Sequence, residues 1–288
     1  MGAADVVPGV SGGTMAFILG IYDELLHAIH AVDLTFVRRL AALRWREAFA
    51  GFPWRFLLAL GTGILLAVFT LAEGLSWLLH HHPALVWAFF FGLVLASIFV
   101  VRRKVQRWRP ALVALMLAAA VGMFALIGAA PLQTPEALWF YFLSGFVAVC
   151  AMILPGISGA FILVLMGKYT AVLDAVVRLD VIRLAVVAAG CVAGLMSFVR
   201  LLRYLLRRWH DAVIAALMGI MLGSLRKVWP WKAAHPAASD GWGHETLLLP
   251  EMSVEAGASI VLMLLGALLV LTIDRLAARR AARGLGEV

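Results

Sequence analysis

Apolar runs of about 20 residues recur along this chain, at 56–79, 84–101 and 111–130 and again at 183–203, 212–228 and 255–273. Each is near the length that crosses a bilayer core. Inside hydrocarbon every backbone N–H and C=O must find a partner within the protein, so runs of this length can fold only as helices. The remaining composition agrees: 64% of the 288 residues are hydrophobic, 14% are charged, and the mean hydropathy is +0.99. A water-soluble domain of this size cannot hide so much apolar surface. The class is an all-α integral membrane protein.

The formal charge of +8 fits basic connections beside anionic headgroups better than a nucleic-acid partner. Cys150 and Cys191 each sit in an apolar run, with no CxxC spacing and no disulfide framework. Three basic clusters orient the spans: Arg102 to Arg109, Arg200 to Arg208, and Arg275 to Arg283. The positive-inside rule puts all three on the cytoplasmic face and 80–83, 131–136 and 229–253 outside. Arg226, Lys227 and Lys232 run against this scheme. In 33–55, Arg residues alternate with Leu, Phe and Trp, which suggests one helix lying in the cytoplasmic interface.

Two breaks interrupt the apolar pattern, and they match. Pro8-Gly9-Val10-Ser11-Gly12-Gly13 leads through Thr14 to Gly20 and Tyr22; Pro155-Gly156-Ile157-Ser158-Gly159-Ala160 leads to Gly167, Lys168 and Tyr169. An offset of 147 superposes them, and an offset of 127 superposes Gly63, Gly92 and Ser97 on Gly190, Gly219 and Ser224. The repeats are expected at 1–135 and 136–288, each with about three full transmembrane helices. Three spans separate the motifs. If each motif is the turn of a re-entrant helical hairpin, that odd number of crossings inverts one half relative to the other, the pattern expected of an alternating-access transporter. Residues 137–154 supply an apolar arm before the second motif, whereas only Met1–Val7 precede the first. The expectation is that this chain starts at an internal methionine and that the natural protein carries a further arm upstream.

Proline removes a backbone donor and glycine permits conformations closed to other residues, so no helix runs unbroken through Pro-Gly-x-Ser-Gly. Non-helical backbone at membrane depth is tolerated where it is buried or lines a wet cavity. Amides of Gly9, Gly12 and Gly13 with the hydroxyls of Ser11 and Thr14, matched by Gly156, Ser158 and Gly159, would make an anion cradle. Lys168 would add a full positive charge, or else snorkel to an interface. Asp5 reads as an acceptor for loop amides or as a proton-coupling carboxylate. Pro8, Tyr22, Pro155 and Tyr169 have structural or coupling roles. The bland alternative is that the small residues only let helices pack closely.

The run Ala4-Asp5-Val6-Val7-Pro8-Gly9-Val10-Ser11-Gly12-Gly13-Thr14-Met15-Ala16 with Gly20-Ile21-Tyr22 resembles the signature of the bacterial polyprenyl-phosphate transporter family, formerly a domain of unknown function. The second Pro-Gly-Ile-Ser-Gly is similar to that family's pattern too, although Ala160 departs from it. The resemblance implies return of undecaprenyl phosphate, the carrier lipid of cell-wall synthesis, to the inner leaflet of the bacterial cytoplasmic membrane. Coupling to an ion or proton gradient is expected. The implied partners are the polyprenyl-phosphate lipid and the bilayer, with no nucleic acid, cofactor or metal; a homo-oligomer is compatible with it.

Two other readings compete. A small-anion transporter or channel would use the same glycine-rich loops. An intramembrane serine hydrolase would use Ser11, since Gly9-x-Ser11-x-Gly13 formally matches a nucleophile elbow. It needs a base in reach, and His27, His30, His80, His81, His82, His210, His235 and His244 all fall in loops or at segment ends.

Overall fold

The computed structural model describes residues 2, 12–31, 34–50, 52–129, 132, 134–234, 245–251 and 253–284. Five of the described helices are long and apolar enough to cross a membrane: α5 (Trp54–His81), α6 (Pro83–Arg102), α7 (Pro110–Ile127), α11 (Val181–Arg208) and α13 (Val254–Gly284). Pro83 and Pro110 open α6 and α7, where a missing N–H costs no helical bond. Asp180 caps α11 by accepting from the Arg183 amide at 3.1 Å.

The run at 212–228 behaves differently from its expected full span. Its helix, α12 (His210–Ser224), has 15 residues, about 22 Å of axis at 1.5 Å per residue. The chain then turns through 225–228, with Leu225 and Val228 buried. A short helix is tolerable here because α12 is enclosed by protein: Ala215, Leu217, Met218 and Met221 are all nearly inaccessible.

Shorter helices fill the motif regions. These are α1 (Gly12–Ile18) and α2 (Tyr22–His30) in the first half, and α8 (Leu138–Ile153), α9 (Gly159–Leu165) and α10 (Tyr169–Val177) in the second. The segment expected as one interfacial helix is two, α3 (Leu34–Ala41) and α4 (Trp45–Phe49). They part at Leu43, whose φ of 55° lies in the left-handed region. Phe36 then stacks on Phe52 at 4.6 Å, with Phe49 edge-on to both. The stretch at 229–253 adds a small antiparallel pair to the helical fold, β1 (Lys232–Ala234) with β2 (Glu245–Leu247), in register Lys232 to Leu247.

Element bounds keep the sequence offsets. Shifting α1 and α2 by 147 gives the bounds of α9 and α10, and shifting α5 by 127 gives those of α11. Backbone angles follow. Gly20 and Gly167 have φ of 72° and 62°, and His82 and Trp209, preceding α6 and α12, have φ/ψ of −137°/55° and −136°/52°.

Packing couples the two halves. α6 lies against α13 and α12 against α7, so the last helix of each half packs on the other half. A Cβ on Gly92 would collide with the Met263 carbonyl, and one on its counterpart Gly219 with the Met116 carbonyl. α8 lies as closely on α11, where Gly190 sits under the Phe142 carbonyl; Gly63 of α5, the counterpart of Gly190, has open space around it. The largest core joins α2, α6, α11 and α12 through Tyr22, Leu26, Phe90, Val94, Leu202 and Met221. Outward-facing Leu65, Leu66, Phe69, Leu264 and Leu268 are exposed, an apolar belt that suits contact with lipid.

The off-side cations have local causes. Arg226 donates to the Phe124 carbonyl at 2.9 Å and lies 4.4 Å over its ring, at the carbonyl-rich end of α7 where a cation is favoured. Lys232 donates to the Lys227 carbonyl at 2.7 Å and lies 4.1 Å over Trp87.

Candidate functional site

The second motif is the turn of a helical hairpin. α8 ends at Leu154 in extended conformation (φ −70°, ψ 131°). Pro155 is buried, Gly156 has φ +94°, and α9 starts after Ser158, which holds the N-cap position at φ −97°, ψ 134° without a side-chain cap. A Cβ on Gly156 would stand 2.8 Å from Ser224 Oγ and 3.2 Å from Met221 Cα. Glycine is therefore required twice over, by the sign of φ and by the approach of α12. A Cβ on Gly159 would meet the Ala148 carbonyl at 3.0 Å, so α9 folds back closely on α8.

The hairpin's two ends lie side by side. Leu132 N donates to the Leu165 carbonyl at 2.8 Å, and Thr134 Oγ1 to the Met166 carbonyl at 2.6 Å. At Gly167 the chain turns, and α10 leaves at 109° to α9. Tyr169 is the first residue of α10 and is partly buried.

Lys168 sits at this base, at the opposite end of α9 from Ser158. Seven helical residues separate the two by about 10 Å along the axis, so ammonium and motif hydroxyl do not share one shell. The Lys168 side chain is 1% exposed, and its Nζ lies 2.7 Å from Glu136 Oε1 and 3.3 Å from the Thr134 carbonyl. The rings of Tyr141 and Phe140 flank it at 5.1 and 5.7 Å. Tyr141 also donates to the Glu136 carboxylate. Glu136 itself is 65% exposed. The hydrogen bond from Lys168, then that from Tyr141, holds its carboxyl below the usual carboxylate range. Sequence reasoning missed Glu136. The available signal was a lone carboxylate immediately before the apolar arm.

Of the first motif, Asp5, Pro8, Gly9 and Ser11 lie outside the described residues. Gly12 and Gly13 begin α1 and are buried; the Thr14 side chain is likewise not described. Tyr22 is 2% exposed and its hydroxyl donates to the Ile153 carbonyl at 3.0 Å. That carbonyl closes α8, two residues before Pro155, so the first motif region touches the second at its turn. α1 also packs against α8. The described histidines, His27, His30, His80, His81, His82 and His210, are all exposed; His235 and His244 are not described.

No solved structure matches the chain. A polyprenyl-phosphate transporter of Vibrio cholerae serotype O1 is 44% identical over 232 residues, 81% of this chain and 75% of that protein. A polyprenyl-phosphate transporter of Staphylococcus aureus is 29% identical over 299 aligned residues, 96% of this chain and 94% of that protein. The sequence pattern of the undecaprenyl phosphate translocase-like family matches residues 1–246, and the chain belongs to that family.

Proposed function

We propose that this protein translocates undecaprenyl phosphate, or a closely related polyprenyl phosphate, across the bacterial cytoplasmic membrane for carrier-lipid recycling. The observation that carries the reading is the junction at Pro155: a helix hairpin opened by Pro-Gly-x-Ser, touched at its turn by Tyr22 of the matching region. A lipid monophosphate needs only its headgroup carried through hydrocarbon, since its tail can stay in lipid. Backbone amides and hydroxyls at two opposed motif turns would receive that headgroup. The binding groups are Gly9, Ser11, Gly12, Gly13 and Thr14 from one side and Gly156, Ser158 and Gly159 from the other.

In this reading the chain is two inverted repeats, 1–135 and 136–288, each with a re-entrant hairpin. The shared element offsets and the adjacent ends of the α8–α9 hairpin support it. Lys168 is the entry cation. An arriving phosphate competes with Glu136 for the buried ammonium and then moves along α9 to Ser158. Proton or ion coupling enters here, because exchange at Lys168 releases the Glu136 carboxylate.

The test is leaflet exchange of labelled undecaprenyl phosphate in liposomes holding the full protein. Exchange well above that of protein-free liposomes is expected, and Ser158→Ala should slow it. Exchange equal to that of empty liposomes overturns the lipid assignment. Flux of a small anion without lipid exchange would point to an ion transporter.

A further inference from the structure

A second anion-directed feature lies away from the motifs, on the arginine-rich face. The α6–α7 connection and the start of α12 enclose a cleft of about 550 Å³ lined by Arg107, Arg109, Arg208, Trp209, His210 and Asp211. Positive-inside charge requires arginines on that face but not their convergence on one cavity. Convergence here has a structural cause. Asp211 Oδ1 accepts from the Gln106 amide at 3.0 Å and Oδ2 from the Arg107 amide at 3.2 Å. Those bonds fasten the first connection onto the first turn of α12, across more than 100 residues of sequence. His210 Nδ1 lies 3.3 Å from the same carboxylate.

The cleft's single carboxylate is thus engaged by two amides and an imidazole, and three arginines line the space beside it. Trp209 is 54% exposed and Trp108 37% exposed, and Tyr204 meets Trp209 edge-on at 6.3 Å. Exposed Trp and Tyr mark the depth of lipid headgroups. A phosphate at that depth belongs to a lipid, and guanidinium forks suit its oxygens.

We infer that the Arg107–Arg109–Arg208 cleft is a binding site for the phosphate of an anionic membrane lipid, separate from the Pro-Gly-x-Ser-Gly turns. Two sources share that chemistry, a bulk phospholipid such as phosphatidylglycerol and the polyprenyl phosphate itself. The inference does not depend on transport.

The test is native mass spectrometry of the full chain in neutral detergent, with phosphatidylglycerol or phosphatidylcholine added at equal concentration. Wild type should retain at least about fivefold more phosphatidylglycerol adduct than phosphatidylcholine adduct. Arg107→Gln/Arg109→Gln/Arg208→Gln should remove most of that preference, whereas Arg107→Lys/Arg109→Lys/Arg208→Lys should keep most of it. Thermal unfolding of both triple variants checks that they fold. Undecaprenyl phosphate added to phosphatidylglycerol-loaded protein then separates the sources: displacement makes the cleft a cargo station, and additive binding makes it a resident phospholipid site. Equal adducts with both phospholipids in wild type, or an unchanged preference in a folded Gln variant, overturns the inference. Adducts are read without leaflet exchange, so failure here leaves the transport reading standing, and the reverse.

Discussion

The Tyr22 hydroxyl lies 3.0 Å from the Ile153 carbonyl and donates a buried hydrogen bond across 131 residues of sequence. It joins the helix after the first motif to the last turn before the second. Tyr22→Phe leaves that carbonyl buried without its donor, a loss of about 1–3 kcal/mol. A lower unfolding temperature in detergent and slower leaflet exchange are expected. Full retention of both would show that the bond does not couple the motif regions.

Gly156 combines φ +94° with a tight approach to Ser224 and Met221. Gly156→Ala should destabilise by about 1–3 kcal/mol, the range for a strained backbone conformation. Adding Ser224→Gly removes the nearest side-chain atom and leaves the positive φ. The double variant should therefore recover only part of the loss; full recovery in thermal unfolding would assign the cost to crowding alone.

The Lys168–Glu136 pair should give stability a specific pH dependence. The folded pKa of Glu136 is depressed, so its contribution is present above the ordinary carboxylate range. It is lost as pH falls through the lower folded value. In Glu136→Gln this acid-side loss should shrink, and stability near neutral pH should drop because the ammonium stays buried with a weaker partner. Unfolding temperatures for both proteins between pH 7 and pH 3 check the sign.

Helix contacts predict unequal tolerance at equivalent glycines. Gly92→Val and Gly219→Val drive a side chain into the facing Met263 and Met116 carbonyls, and each should cost at least the ~1–3 kcal/mol typical of overpacking. Gly63→Ala meets open space and should be neutral or slightly stabilising, since alanine favours helix by up to about 1 kcal/mol over glycine. Size-exclusion profiles and unfolding temperatures of the three variants compare them directly.

Hydroxyl removal at the motif tests the cradle. Ser158→Ala with Ser11→Ala should weaken exchange by at least about tenfold, since each hydrogen bond lost to a charged group is worth about 1.5–3 kcal/mol. Protein indifferent to both substitutions returns Pro-Gly-x-Ser-Gly to a packing device.

Much was legible because it is local. Runs of apolar residues determined the membrane class, and five became helices of spanning length. Pro155 and Gly156 determined where α8 must stop, and Gly20 and Gly167 where the next helices must turn. The offsets of 147 and 127, visible in a few glycines, serines and tyrosines, reappear in the bounds of α1, α2 and α5 and their counterparts. Each of these follows from the conformational limits of one residue or from a run long enough to require a helix.

Tertiary structure alone decided which surfaces meet. Nothing in the sequence near Lys168 names Glu136 as its partner, because that pair depends on 132–136 lying against the end of α9. Nor does it foretell that α7 serves α12 while α13 serves α6, or that Arg226 caps α7. A hydrophobic run specifies a helix but not the side from which it is covered. That choice is made by close approaches such as Gly92 on Met263 and Gly219 on Met116, which exist only once the helices have crossed.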